Sequence, residues 1–141
     1  MPAKHGCIFC AIALGEAPAQ RVHEDEHTLA FMDLFPVAAG HTLIATREHF
    51  ENLYEATAES IAAVGRVSIP LVRAIRSVFG PDGISVYQAN GAAAGQTVLH
   101  YHMHLIPRHQ GEALQLHGRK QADEAALLRA AESLRAELAR G

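Results

Sequence analysis

A chain of 141 residues, 49% of them hydrophobic, is long enough for one packed domain and too apolar for a disordered segment. Its formal net charge of −3, from 12 Lys and Arg against 15 Asp and Glu, offers no basic field to hold nucleic acid by its phosphates. No apolar run approaches the roughly 18 residues of a membrane-spanning helix. In chain order, residues 7–14 read as a short apolar helix stopped by Gly15 and Pro18. Strands are predicted over 27–33 and 41–46, with a turn at Pro36 and Gly40 between them. The main helix is predicted over 57–79. Thr57 is its N-cap, and Ile61, Val64, Ser68, Leu71, Ile75 and Phe79 make its core-facing stripe. Pro70 lies inside it and is expected to kink or interrupt it. Further strands are expected over 84–88 and 97–106, joined by the loop 90–95, and Pro107 is expected to end the second. A last helix spans 122–139. The order implies an α+β fold, an antiparallel sheet with helices on one face, as a single domain over 1–141.

The two cysteines are too few for a disulfide framework, and the first residues carry no signal-peptide pattern. The expected compartment is therefore the cytoplasm. Cys7-Ile8-Phe9-Cys10 is a C-x₂-C knuckle. Two thiolates at that spacing suit a tetrahedral zinc with two further ligands, and two histidines would have to complete it. A redox pair and two inert thiols are the competing readings. Ten histidines stand out against the rest of the composition. Of these, His100, His102 and His104 alternate with Tyr101, Met103 and Leu105. On a strand, residues two apart share a face and lie about 6.5–7 Å apart. Three clustered imidazoles lower one another's pKa, and a neutral ring is what a nucleophile or a metal ligand requires. His5, His23, His27, His109 and His117 sit in polar contexts and read as solvated surface residues.

The segment His100-Tyr101-His102-Met103-His104-Leu105-Ile106, led by Ala94-Gly95-Gln96-Thr97-Val98, resembles the histidine-triad (HIT) family. Leu29–Asp33 and Gly40–Ile44 extend the resemblance over most of residues 7–108. It implies a HIT-like fold, an antiparallel sheet with a main helix and a C-terminal helix. It also implies a nucleotide-binding hydrolase acting at the α-phosphorus of nucleoside phosphoramidates or dinucleoside polyphosphates. His102 would attack phosphorus and form a covalent nucleotidyl-histidine, which splits one hard substitution into two easier ones. His104 would donate to a phosphate oxygen, and Thr97 would lie near the phosphate or leaving group. Asn90, Gln96 and the Gly95 amide would help hold the phosphate. Asp33 would accept the ribose hydroxyls, and Ile8, Phe9, Phe31 and Leu34 would sandwich a base, with purines favoured. His41 would support the triad. By the same resemblance His49 and His100 complete a structural zinc site with Cys7 and Cys10, and the protein is a homodimer. Two other readings stay open. One is a dinucleoside polyphosphate phosphorylase, and the other is a nucleotide- or zinc-binding regulatory module with little turnover.

Overall fold

The computed structural model describes residues 2–141. Helix α1 (Ile8–Ala13) is followed by strands β1 (Arg21–Glu24), β2 (Thr28–Met32) and β3 (Thr42–Thr46). Then come helix α2 (Ala58–Phe79), strands β4 (Gly83–Tyr87) and β5 (His102–Arg108), and helix α3 (Glu124–Ala139). The strands form one antiparallel sheet in the order β1-β2-β3-β5-β4. The architecture is the α+β arrangement expected, except that the helices do not share one face: α1 packs on the side of the sheet opposite α2 and α3.

Alternation decides what each face of the sheet does. Ala30 and Met32 of β2, Ile44 of β3 and Leu105 of β5 pack with Val64, Leu71 and Ile75 of α2 and Leu127 and Leu134 of α3. The intervening residues Leu29, Phe31, Leu43 and Ala45 pack on the other face under Phe9 and Ile12 of α1. Covered on both faces, β2 and β3 are buried throughout. His104 pairs with Leu43 and His102 with Ala45, so both rings lie on the α1 face. Thr57 caps α2 by accepting the Ser60 amide at 3.2 Å, and Gly80 ends it in the left-handed region at φ 59°.

Four local expectations differ from what forms. Strand β1 was not anticipated; Arg21-Val22-His23-Glu24 has one apolar side chain and acquires strand form by pairing with β2 around a bulge. Pro70 does not interrupt α2. It sits on the exposed side, so the carbonyl that its missing N–H leaves free is not sealed in the core. Residues 97–101 are irregular, and β5 begins only at His102. Pro107 lies within β5, opposite Ile84 of β4, because pairing with β3 ends at Leu105 and leaves that edge open. None of the described helices is long and apolar enough to cross a membrane.

Candidate active site and metal centre

A cleft of about 410 Å³ opens on the α1 face of the sheet. One wall is apolar and includes Ile8 and Phe9 of α1, Phe31 of β2, and Leu34. Asp33, Thr97, His102 and His104 also line the cleft. Eight expected residues are thus brought together. Asp33 follows β2 directly, and its Oδ1 accepts the Phe35 amide at 2.8 Å. Burial pushes its carboxyl pKa up.

The proton positions follow from groups that donate or accept in only one sense. His102 Nδ1 lies 2.6 Å from the His100 carbonyl oxygen. A carbonyl accepts, so Nδ1 carries the hydrogen and Nε2 keeps its lone pair. The Val37 amide donates to His41 Nδ1 at 3.0 Å, so the His41 proton resides on Nε2. That Nε2–H lies 2.9 Å from His104 Nδ1 and 3.4 Å from Asp33 Oδ2. His104 therefore accepts at Nδ1 and keeps its own proton on Nε2. Asp33, His41 and His104 are close enough to suggest a cation site. The Val37 amide argues against it, because a neutral His41 has no second lone pair to give a metal.

Burial, reinforced by neighbouring positive groups, pushes His41 down to about 3 and His104 down to about 2. Burial also lowers His102, against the pull of the His100 carbonyl and the Asp33 carboxylate. The rings are held neutral and rigid. Tyr87 of β4 lies flat on His104 at 4.3 Å between centroids, and Phe9 meets His102 edge-on at 5.0 Å.

Asn90, Gly95 and Gln96 are not among the residues lining the cleft. Asn90 Oδ1 accepts the Leu53 amide at 2.9 Å, and the Gly95 amide donates to Ala92 at 3.0 Å. The Gln96 side chain accepts from the Gly91 amide at 2.8 Å and donates to the carbonyls of Glu51 and Val98. All three brace the 90–97 loop that carries Thr97.

One cleft residue runs against the sequence reading. His117, expected at the surface, lines the cleft half-buried, with its Nε2 donating to the Gly95 carbonyl at 2.8 Å. Its segment crosses back over the site. The Tyr87 hydroxyl donates to the Leu116 carbonyl at 2.6 Å, and the Ala122 amide donates to Leu34 at 2.9 Å. No local pattern in Leu116-His117-Gly118 signals this placement.

Beyond the triad, Cys7, Cys10, His49 and His100 converge, with all four ligand atoms within 4.8 Å of one another. His100 Nδ1 lies 3.3 Å from Cys7 Sγ, 3.5 Å from Cys10 Sγ and 3.3 Å from His49 Nδ1. Cys10 Sγ lies 3.3 Å from His49 Nδ1. Tetrahedral zinc with ordinary bond lengths separates such donors by about 3.3–3.8 Å. Cys7 caps α1, and its sulfur accepts the Cys10 amide at 3.4 Å, while Cys10 Sγ accepts the Lys4 amide at 3.3 Å. His100 donates Nε2–H to the Thr46 carbonyl at 2.6 Å, which turns the Nδ1 lone pair to the cluster. Among the described residues His49 Nε2 is buried without a partner, so only the Nδ1 side of that ring is engaged. Burial pushes the Cys10 thiol up, so a thiolate there calls for a cation beside it.

Residues 14–111 match the HIT domain family. The chain belongs to the histidine-triad (HIT) family. This HIT protein is 46% identical over 109 residues to Protein hit of Bacillus subtilis, covering 77% of this chain and 75% of that one. It is 38% identical over 112 residues to the adenylylsulfatase HINT3 of Arabidopsis thaliana, covering 79% of this chain and 56% of that one. A zinc-bound histidine triad family protein from Mycobacterium smegmatis superimposes with a TM-score of 0.83 at 35% identity, covering 96% of this chain and 94% of that one.

Proposed function

We propose that this HIT protein is a nucleotide-binding hydrolase that transfers a nucleoside monophosphate group from its substrate to His102 and then to water. The observation that carries the reading is the His102 ring. Its Nδ1–H is held by the His100 carbonyl at 2.6 Å, which leaves a neutral Nε2 lone pair in a cleft with an apolar wall. The lone pair attacks the α-phosphorus, and the bond to the leaving group breaks. His104 donates its Nε2–H to a phosphate oxygen and is kept neutral and oriented by His41. Asp33 accepts from the ribose hydroxyls, and Ile8, Phe9, Phe31 and Leu34 flank the base, an apolar slot that suits a purine. Thr97 adds a hydroxyl donor beside the phosphate. Asn90, Gly95 and Gln96 hold the loop that positions it. A relative named as an adenylylsulfatase supports a hydrolase that cleaves an adenylyl bond.

Zinc fits the second cluster, held by Cys7, Cys10, His49 and His100. Four protein donors leave no open coordination position, so a bound ion would supply a structural cross-link and no hydrolytic chemistry.

The test of the catalytic reading compares wild type and His102→Ala on adenosine 5′-phosphoramidate and on diadenosine polyphosphates. The variant is expected to fold and to lose at least about 10³-fold in turnover. Wild-type protein quenched during turnover should carry a nucleotide on His102 by mass spectrometry. Full activity in the variant, or an adduct on another side chain, would exclude the mechanism.

A further inference from the structure

The proton positions in the cleft leave the proposed reaction without an acid. A group departing from phosphorus as an amine or an alkoxide needs a proton. His102 cannot supply one, because its Nδ1–H is held on the His100 carbonyl and its Nε2 is the attacking atom. His104 donates from Nε2 but cannot be replenished. Its Nδ1 proton source is His41, and His41 in turn rests on the Val37 amide, which cannot release a proton. Asp33 accepts at Oδ1 from the Phe35 amide and faces the His41 Nε2–H with Oδ2. Thr97 offers only a neutral hydroxyl. Of the titratable side chains that line the cleft among the described residues, His117 remains.

Its placement suits the task. The Nε2–H is fixed on the Gly95 carbonyl at 2.8 Å, so any second proton the ring takes goes to Nδ1. The His117 ring centroid is 6.0 Å from that of His104, and the residue is half-buried at the cleft. The strap that carries it is fixed on both sides. Leu116 is held by the Tyr87 hydroxyl, and Gly118 lies so close to Phe35 and Pro36 that an added Cβ would come within 2.3 Å of a carbonyl oxygen.

We propose that His117 is the acid–base residue of this cleft, an inference that rests on the nucleotidyl-transfer reading above. In the first step the His102 Nε2 lone pair forms the N–P bond. The bond from phosphorus to the departing nitrogen or oxygen breaks with its electron pair on that atom, which takes the Nδ1 proton of the His117 imidazolium. In the second step a water oxygen bonds to phosphorus. The N–P bond returns its electrons to His102 Nε2, and the water proton goes to His117 Nδ1. The favoured substrates are those whose leaving group needs that proton, such as nucleoside phosphoramidates.

The experiment compares wild type, His117→Ala and His117→Gln on two substrates. Adenosine 5′-phosphoramidate releases ammonia, whose nitrogen must take a proton as it leaves, whereas the p-nitrophenyl ester of AMP releases a phenolate that needs none. Both variants should lose about 10²-fold or more in kcat/KM on the phosphoramidate and stay within about threefold of wild type on the ester. The glutamine amide can still donate to Gly95, so this variant should also keep the wild-type melting temperature. An equal loss on both substrates reduces His117 to a structural role, and an unchanged rate on the phosphoramidate removes it from the reaction. Either result, with wild type still forming the His102 adduct, overturns the His117 assignment alone. Wild type that cleaves neither substrate overturns the parent reading as well.

Discussion

His41 accepts the Val37 amide with one nitrogen and donates to His104 with the other, so its place in the site requires one ring proton and has no room for two. Burial holds it down to about 3, and His104 down to about 2, against an ordinary value of 6.5. Between those limits the unfolded chain binds more protons than the folded one, so stability rises with pH there. The contribution is complete above about pH 6.5 and is lost progressively as pH falls toward the folded values. The denaturation midpoint in urea should therefore drop steadily from pH 7 to pH 4, and His41→Gln should flatten that slope. An equal slope in wild type and variant would show that His41 does not contribute to the acid sensitivity. At this scale the sequence shows residue types: three alternating histidines and an aspartate after a strand. It does not show the tautomers, since the Val37 amide and the His100 carbonyl fix them.

At the scale of elements, β5 delivers His102 and His104 while the irregular turn before it delivers His100 to the cysteines. Period-two alternation read the first pair correctly, and Phe9 meets the rings of both His100 and His102, so all three rings lie toward α1. The division of labour arises because strand geometry starts only at His102, leaving His100 free to turn toward Thr46. The strap from 109 to 122 carries no periodic signal, and its course is set by distant partners: Tyr87, Leu34 and the Phe35–Pro36 backbone. At Gly118 that course runs against the Phe35 and Pro36 carbonyls. Gly118→Ala would press a methyl group onto the Phe35 and Pro36 carbonyls and lift the strap. The expected cost is about 1–3 kcal/mol of stability, read from urea unfolding. The same variant should shift the response of kcat/KM to leaving-group type in the direction of His117→Ala. Wild-type stability in the variant would mean that the strap does not rest on the 35–36 backbone.

Across the whole molecule, the Cys7–Cys10 knuckle joins the N-terminal helix to residues 49 and 100, drawn from two separate parts of the chain. A metal there would tie α1, and with it one wall of the cleft, to the strand that carries His102 and His104. Protein prepared without chelators should contain about one zinc per chain by elemental analysis. Its removal, or Cys10→Ser, should lower Tm by more than about 5 °C and open the residues before β1 to proteolysis. A metal content near zero, with cysteines that chelators leave unaltered in reactivity, would reduce the cluster to buried thiols. By itself the sequence determined the helix and strand periods, the α+β class, the triad and the C-x₂-C knuckle, because each is encoded by residues a few positions apart. Only the tertiary structure decided which nitrogen of each histidine is free, that Asn90, Gly95 and Gln96 brace a loop, and that His117 enters the cleft. Those outcomes depend on carbonyls and amides brought from remote segments, and such contacts leave no periodic trace along the chain.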